Sequence, residues 1–137
     1  MTVGVASNFV TLVAMTTLTE NVHSLNQLIT DHETVKAMEL FYAYDVQMQE
    51  NEDTPRKGKE ACITYEKMLL ETFTLVSTLI DQAINEERNV VFSEWELLIT
   101  NKETGKTARR VEVSVQHWHD GLIESEKFYY NKAPQKI

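Results

Sequence analysis

The chain has 137 residues, 42% of them hydrophobic and 25% charged, enough for one domain whose core needs neither disulfides nor metal. Thirteen Lys and Arg against 21 Asp and Glu leave a net charge of −8, which excludes general nucleic-acid binding and disfavours anionic membranes, since both need a basic surface. A single cysteine, Cys62, rules out an internal disulfide framework. Spaced with Ala61, Tyr65, Met68 and Leu69 on an apolar helical stripe, it reads as a buried structural thiol.

Residues 1–14 are apolar, with Val3, Val5, Phe9, Val10, Leu12 and Val13, but contain no Lys or Arg. A secretory signal wants a basic start and small residues at the cut site. A membrane helix wants about 20 apolar residues, and Thr16, Thr17 and Thr19 end this run early. Residues 1–16 are therefore set aside as an extension, non-native or an interface element. The domain is expected over 17–131, with a tail at 132–137, in a cytoplasmic protein.

Thr17 and Glu20 have capping-box spacing, and Val22, Leu25, Leu28 and Ile29 form the stripe of a first helix. Asp31 is placed to cap a second, short helix carrying Val35, Met38, Phe41 and Tyr42. Val46 and Met48 alternate with Gln47 and Gln49 as a short strand, followed by a loop from Thr54-Pro55 through Gly58. Glu60 to Thr72 reads as the third helix. From Phe73 the period changes to two, giving strands at 73–85, 90–100, 107–119 and 122–130 whose short connections force antiparallel pairing. The expected class is α+β: a cone-shaped, strongly curved antiparallel sheet, a four-strand meander plus one short strand, wrapped on three N-terminal helices. The mouth of such a cone is a natural small-molecule cavity.

Asp120-Gly121, flanked by alternating residues, signals a two-residue type I′ turn with positive φ at both positions. Carried straight along both strands, the turn sets His119 opposite Leu122, His117 opposite Glu124 and Val115 opposite Glu126. Val113 then faces Phe128, and Val111 faces Tyr130. These ten, with Val91, Ser93, Trp95 and Leu97, are expected to line the cavity. The opposite face, with Arg110, Glu112, Ser114, Gln116, Ser125 and Lys127, is expected to meet solvent or a second copy.

On the inner face His117 and Glu126 become diagonal neighbours, a pair in which the carboxylate raises the imidazole's proton affinity and makes a general acid or base near neutral pH. A satisfied polar pair at the rim is the other reading. Glu50 is either a base at the cavity floor or a solvated loop acid beside Glu52 and Asp53. Met48, Trp95, Val115, Phe128 and Tyr130 are the expected ligand-binding walls. His117 and His119 with Glu124 or Glu126 imitate a two-histidine, one-carboxylate metal site, but strand spacing and a place beside the turn argue against chelation. Arg56, Lys57 and Lys59 form a small basic cluster before a helix start, an anion site or an exposed loop. With no Gly-rich phosphate loop and no nucleophile elbow, neither cofactor nor metal is expected.

The order helix, helix, short strand, helix, long meander, with Phe41-Tyr42-Ala43-Tyr44-Asp45-Val46 and Gly58-Lys59-Glu60-Ala61, resembles the nuclear-transport-factor-2-like (NTF2-like) superfamily, also called cystatin-like or ketosteroid-isomerase-like. The ending Trp118-His119-Asp120-Gly121-Leu122-Ile123, with Phe128-Tyr129-Tyr130, is similar to its SnoaL-like polyketide-cyclase branch. The resemblance spans roughly Leu18 to Asn131 and implies a small apolar ligand and a homodimer formed through the sheet. Ketosteroid isomerases use a tyrosine on the first helix, an aspartate base after the short strand and a late-strand acid. Those positions fall on Asn26, Glu50 and Val115, so one carboxylate is retained and neither oxyanion donor is. The aspartate–arginine–aspartate set of limonene-type epoxide hydrolases finds no match. Two functions remain open. One is a cofactor-independent isomerase or cyclase in which Glu50, His117 or Glu126 moves a proton on a carbonyl compound; the other is a non-catalytic dimeric ligand-binding or interaction module.

Overall fold

The computed structural model describes residues 16–133 and 135–136, so the expected extension falls almost wholly outside the described residues. Helix α1 spans Leu18–Thr30, and the Thr17 side chain accepts the Glu20 N–H at 3.1 Å to cap it. Its apolar stripe puts Val22 and Leu25 in the core. Asp31, expected to start the next helix, instead closes this one: its N–H bonds Gln27 O at 2.9 Å, and its carboxylate takes the Gln27 amide. The reversal that follows runs through His32 in the left-handed region, at φ 62°. Helix α2, Thr34–Phe41, therefore begins from Glu33 without a side-chain cap, and Tyr42 leads into a strand rather than ending the helix. Gly58, at φ +96°, makes the sharp entry to α3, Lys59–Thr72. No helix of the described residues is long and apolar enough to cross a membrane.

The strands are β1 Tyr42–Glu50, β2 Arg56–Lys57, β3 Phe73–Asn85, β4 Val90–Asn101, β5 Thr107–His119, β6 Leu122–Tyr129 and β7 Gln135–Lys136. Their order is β2-β1-β6-β5-β4-β3, with β7, in the tail, against β5. The meander β3 to β6 is antiparallel, while β1 joins β6 in parallel and makes the sheet mixed. Strand β3 is one edge, and a bulge between Leu79 and Asp81 interrupts its pairing.

The turn has the expected form, with Asp120 at φ 48°, Gly121 at φ 76°, and His119 opposite Leu122. Trp118 pairs with Ile123, but His117 then pairs with Ser125, so β6 carries one extra residue, Glu124. This bulge and the burial of Trp118 and Ile123 reverse the expected face of β5. Trp118 lies 5.9 Å from the Phe41 ring and, with Ile123, joins the cluster of Val22, Leu25, Met38 and Val46. Period two then turns Gln116, Ser114 and Glu112 inward and sends His117, Val115 and Val113 to the outer face. His117 and His119 are exposed, with His119 near Asp120 at 3.1 Å, so neither imidazole enters the cone. On β6 the bulge keeps Glu126 buried on the inner face, as expected for that residue.

Ile123→Ala, at a site 0% exposed, is expected to lower unfolding free energy by about 2–5 kcal/mol. His117→Ala shifts it by less than about 0.5 kcal/mol. Urea unfolding of both variants checks the assignment, and a large loss from the histidine would contradict it.

Candidate active site inside the cone

Helices α1, α2 and α3 close over the inner face of the sheet around a cavity of about 140 Å³. Leu25, Ile29, Ala37, Met38, Leu69 and Leu75 make one apolar wall, and Met48, Trp95, Leu97 and Phe128 another. Into this lining project four carboxyls, Glu50, Glu66, Glu112 and Glu126, and two guanidinium groups, Arg56 and Arg110. A low-polarity wall strengthens every charge interaction inside it and penalises every unpaired charge.

Glu126, on β6, has both oxygens engaged. The Tyr42 hydroxyl, at the start of β1, donates to Oε1, and Gln116 Nε2 donates to Oε2 at 2.6 Å. Trp118 Nε1, which can only donate, gives its proton to Gln116 Oε1 at 3.0 Å and so fixes which end of that amide faces the carboxylate. Burial pushes the Glu126 carboxyl above its usual range, against the pull of the Tyr42 and Gln116 bonds. Burial, then the neighbouring Glu126, raises the Tyr42 hydroxyl well above its ordinary value.

Glu50, at the end of β1, is also fully engaged: Arg56 Nη1 donates to Oε2 at 2.7 Å and the Tyr130 hydroxyl to Oε1 at 3.1 Å. The Arg56 guanidinium lies over the Tyr65 ring at 3.7 Å, and Arg110 over the Tyr130 ring at 4.0 Å. Burial and the Glu50 charge push the Tyr130 hydroxyl up to about 12. The basic cluster of Arg56, Lys57 and Lys59 is thus divided, since Arg56 serves the cavity and Lys59 Nζ donates to Glu39 O.

Glu112 and Glu66 differ from these two. Neither has a hydrogen-bond partner among the described residues, and Glu112 Oε2 has only Arg110 Nη2 at 3.8 Å. Burial pushes Glu112 up to about 7; Arg110 opposes the rise, and Glu126, Glu50 and Glu66 add to it. Burial, then Glu126, raises Glu66 as well. The cone therefore holds two carboxyls locked in hydrogen bonds and two without hydrogen-bond partners among the described residues.

Of the residues singled out from sequence, Glu50, Glu126, Met48, Trp95 and Phe128 line the cavity, and Tyr130 adjoins it through Glu50. Val115 and His117 do not, because the inner face of β5 is the other one; both border a shallow depression on the outer face instead. Asn26 reaches the cavity and is bound to Gln82, its Nδ2 donating to Oε1 at 2.8 Å. Sequence reasoning missed Arg110, Glu112, Ser114 and Gln116. Their signal was the position of Trp118 and Ile123 beside the turn, a bulky pair whose burial decides the face.

No protein-family model matches the sequence, and comparison with curated proteins finds no match. Solved structures do match. A candidate SnoaL-like polyketide cyclase (carbohydrate phosphatase) of Mesorhizobium loti superposes with a TM-score of 0.74 at 22% identity, covering 84% of this chain and 100% of its own. The fold is NTF2-like. An NTF2-like protein of unknown function from Burkholderia pseudomallei gives a TM-score of 0.74 at 11% identity, covering 87% and 94%. An LEH-like epoxide hydrolase of M. tuberculosis gives 0.69 at 10% identity, covering 82% and 80%. Within this NTF2-like cone the carboxyl cluster rests on the residues of this chain, since identities at that level speak for the fold.

The Glu112 carboxyl has a folded value near 7, above its unfolded value. Its favourable contribution is therefore complete at acid pH, below the unfolded pKa, and is lost as pH rises through 7. Glu112→Gln is expected to leave stability nearly unchanged at pH 5 and to raise it at pH 8 by on the order of 1–3 kcal/mol, as read by urea unfolding at the two pH values. A variant less stable than the parent at pH 8 would contradict the assignment.

Proposed function

We propose that the protein binds a small, largely apolar carbonyl compound and moves a proton on it without a cofactor, as an isomerase or cyclase of the cytoplasm. The observation that carries this reading is Glu112, a carboxyl 7% exposed and without a hydrogen-bond partner among the described residues, which burial pushes up to about 7 in a cavity that combines apolar walls with charged groups. As a carboxylate it takes a proton from the carbon next to the carbonyl. The C–H pair forms the enolate double bond, the carbonyl π pair moves to oxygen, and Arg110 offsets the charge that develops there. Where the substrate carries a β,γ double bond, Glu112 then returns the proton to the γ-carbon as the oxygen pair re-forms the carbonyl and the double bond shifts to α,β, which completes an isomerisation. Alternatively the enolate carbon attacks a second carbonyl, a C–C bond forms, and Glu112 protonates the new alkoxide. Glu50 and Glu126, expected from sequence to be the acids or bases, support this step by keeping the affinity of Glu112 for its proton high.

A second reading follows from the two carboxylate–arginine pairs that line the cavity, Glu112 with Arg110 at 3.8 Å and Glu50 with Arg56 at 2.7 Å. Glu112 as an acid could protonate the oxygen of a strained cyclic ether while water attacks carbon, giving a diol. Incubation with cyclohexene oxide separates the readings, because diol formation lost in Glu112→Gln would favour ring opening.

For the first reading, deuterium exchange at the α-carbon of cyclohexanone, followed by NMR, should rise with pH around a midpoint near 7. It should fall by about 100-fold or more in Glu112→Gln. Exchange unaffected by the substitution would sink it, and binding with no exchange at any pH would leave a non-catalytic module.

The outer sheet face supports a homodimer as part of this proposal. Val76, Ile80 and Phe92 are 45–49% exposed there, beside Leu98, Val113 and Val115. Phe92→Glu should convert a dimer to a folded monomer in sedimentation experiments; a parent protein that sediments as a monomer would remove this part.

A further inference from the structure

Among the described residues, three buried side-chain atoms have no hydrogen-bond partner: Arg56 Nε, Arg110 Nε and Ser114 Oγ. All three residues line the same cavity. Orphaned polar atoms are rare in folded proteins, and their confinement to one cavity asks for a reason. Ser114 is the sharpest case. It is 1% exposed, on the inner face of β5 between Glu112 and Gln116, and directly opposite Ser93 on β4. The Ser93 hydroxyl already accepts from Gln82 Nε2 at 2.8 Å, and that amide is held in turn by Asn26. Gln116 is committed at both ends to Trp118 and Glu126. Gln116 is thus unavailable to Ser114, and no bond forms between the facing Ser93 and Ser114 hydroxyls.

The two guanidinium Nε–H groups can only donate, and a serine hydroxyl can do either. The chemistry that completes these groups is therefore an acceptor, an oxygen rather than an ammonium group. The cavity's size, about 140 Å³, suits a ligand on the order of one six-membered ring. Ser114 stands two residues from Glu112 on the same face of the strand, about 6.7 Å along it. An oxygen held at Ser114 therefore lies within a few bonds of a carbon facing Glu112.

We propose that Ser114 is the residue that selects for the ligand's carbonyl oxygen, its hydroxyl donating to that oxygen and so orienting the adjacent carbon toward Glu112. The inference deepens the proton-transfer reading and rests on it for the identity of the reacting group. Its own test is binding and stability, so the two fail separately.

Cyclohexanone and its oxygen-free isostere methylenecyclohexane are titrated by NMR into the parent protein and into Ser114→Ala, and both proteins are melted without ligand. The substitution removes an unpartnered hydroxyl. The ligand-free variant should therefore melt about 1–3 °C higher, while its affinity for the ketone falls about tenfold and its affinity for the alkene stays the same. An unchanged or lower melting temperature would show that the hydroxyl has a partner in the fold and would overturn the proposal. Equal losses for both compounds, no loss for the ketone, or no binding of either compound to the parent would also overturn it. Ketone binding that depends on Ser114 without deuterium exchange would uphold it and sink the catalytic reading instead.

Discussion

A two-residue turn fixes which residues of β5 and β6 are neighbours, but it does not decide which side of the ribbon meets the helices. That choice is made where Trp118 and Ile123, the first pair beyond the one next to the turn, bury themselves against Phe41 and the α1–α2 core. Strands alternate strictly, so burying one residue commits the strand for its whole length. Trp118 inward means Gln116, Ser114, Glu112 and Arg110 inward. The extra residue Glu124 then lets β6 keep Glu126 and Phe128 on the same side. Without the bulge, β6 would present the neighbours of these residues instead, and the cone would lose its most deeply held carboxyl.

The polar interior that results is organised by unequal pairing. Arg56 and Tyr130 hold Glu50, and Tyr42 and Gln116 hold Glu126. Glu112 keeps only a distant guanidinium, and Glu66 has none of these bonds. Burial disfavours the charged form of a carboxyl, and at Glu126 the bonds from Tyr42 and Gln116 oppose that rise. Glu112 and Glu66 have no such bonds among the described residues, and burial raises both, Glu112 to about 7. The field that raises Glu112 comes partly from the two locked acids, which makes them participants in its chemistry without requiring that they touch a ligand.

The fold was legible in the sequence because its signals are local and redundant. The Thr17 cap, the third helix over residues 59–72, the switch to period two at Phe73 and the Asp120-Gly121 turn each follow from a few residues. Sequence reasoning puts Met48, Glu50 and Trp95 in the cavity lining on strands whose facing does not depend on the bulge, and Glu126 and Phe128 there on the bulged β6. The error on β5 came from its valines. Val111, Val113 and Val115 look like a core stripe, and the polar residues between them look like a solvent face. In the structure the valines lie outside and the polar residues inside, because Trp118 outweighs them and because a sheet's outer face need not be polar when another surface can cover it. A single inserted residue in β6 has no signature in composition or periodicity. Likewise, nothing in the sequence distinguishes Asp31 as the end of one helix from Asp31 as the start of the next.

Strand β3 ends the sheet on the side away from β1, and such a margin offers unpaired N–H and C=O groups to any extended chain that approaches. Its irregularity at Ile80 breaks that row into two shorter runs whose hydrogen-bonding directions no longer align. A straight incoming strand can therefore zip along only one run before it is thrown out of step. The same distortion guards an apolar margin, where Val76 and Ile80 are half-exposed, against open-ended stacking of one molecule on the next. Straightening β3 by removing the extra residue would make that row continuous and open to end-to-end pairing with further copies.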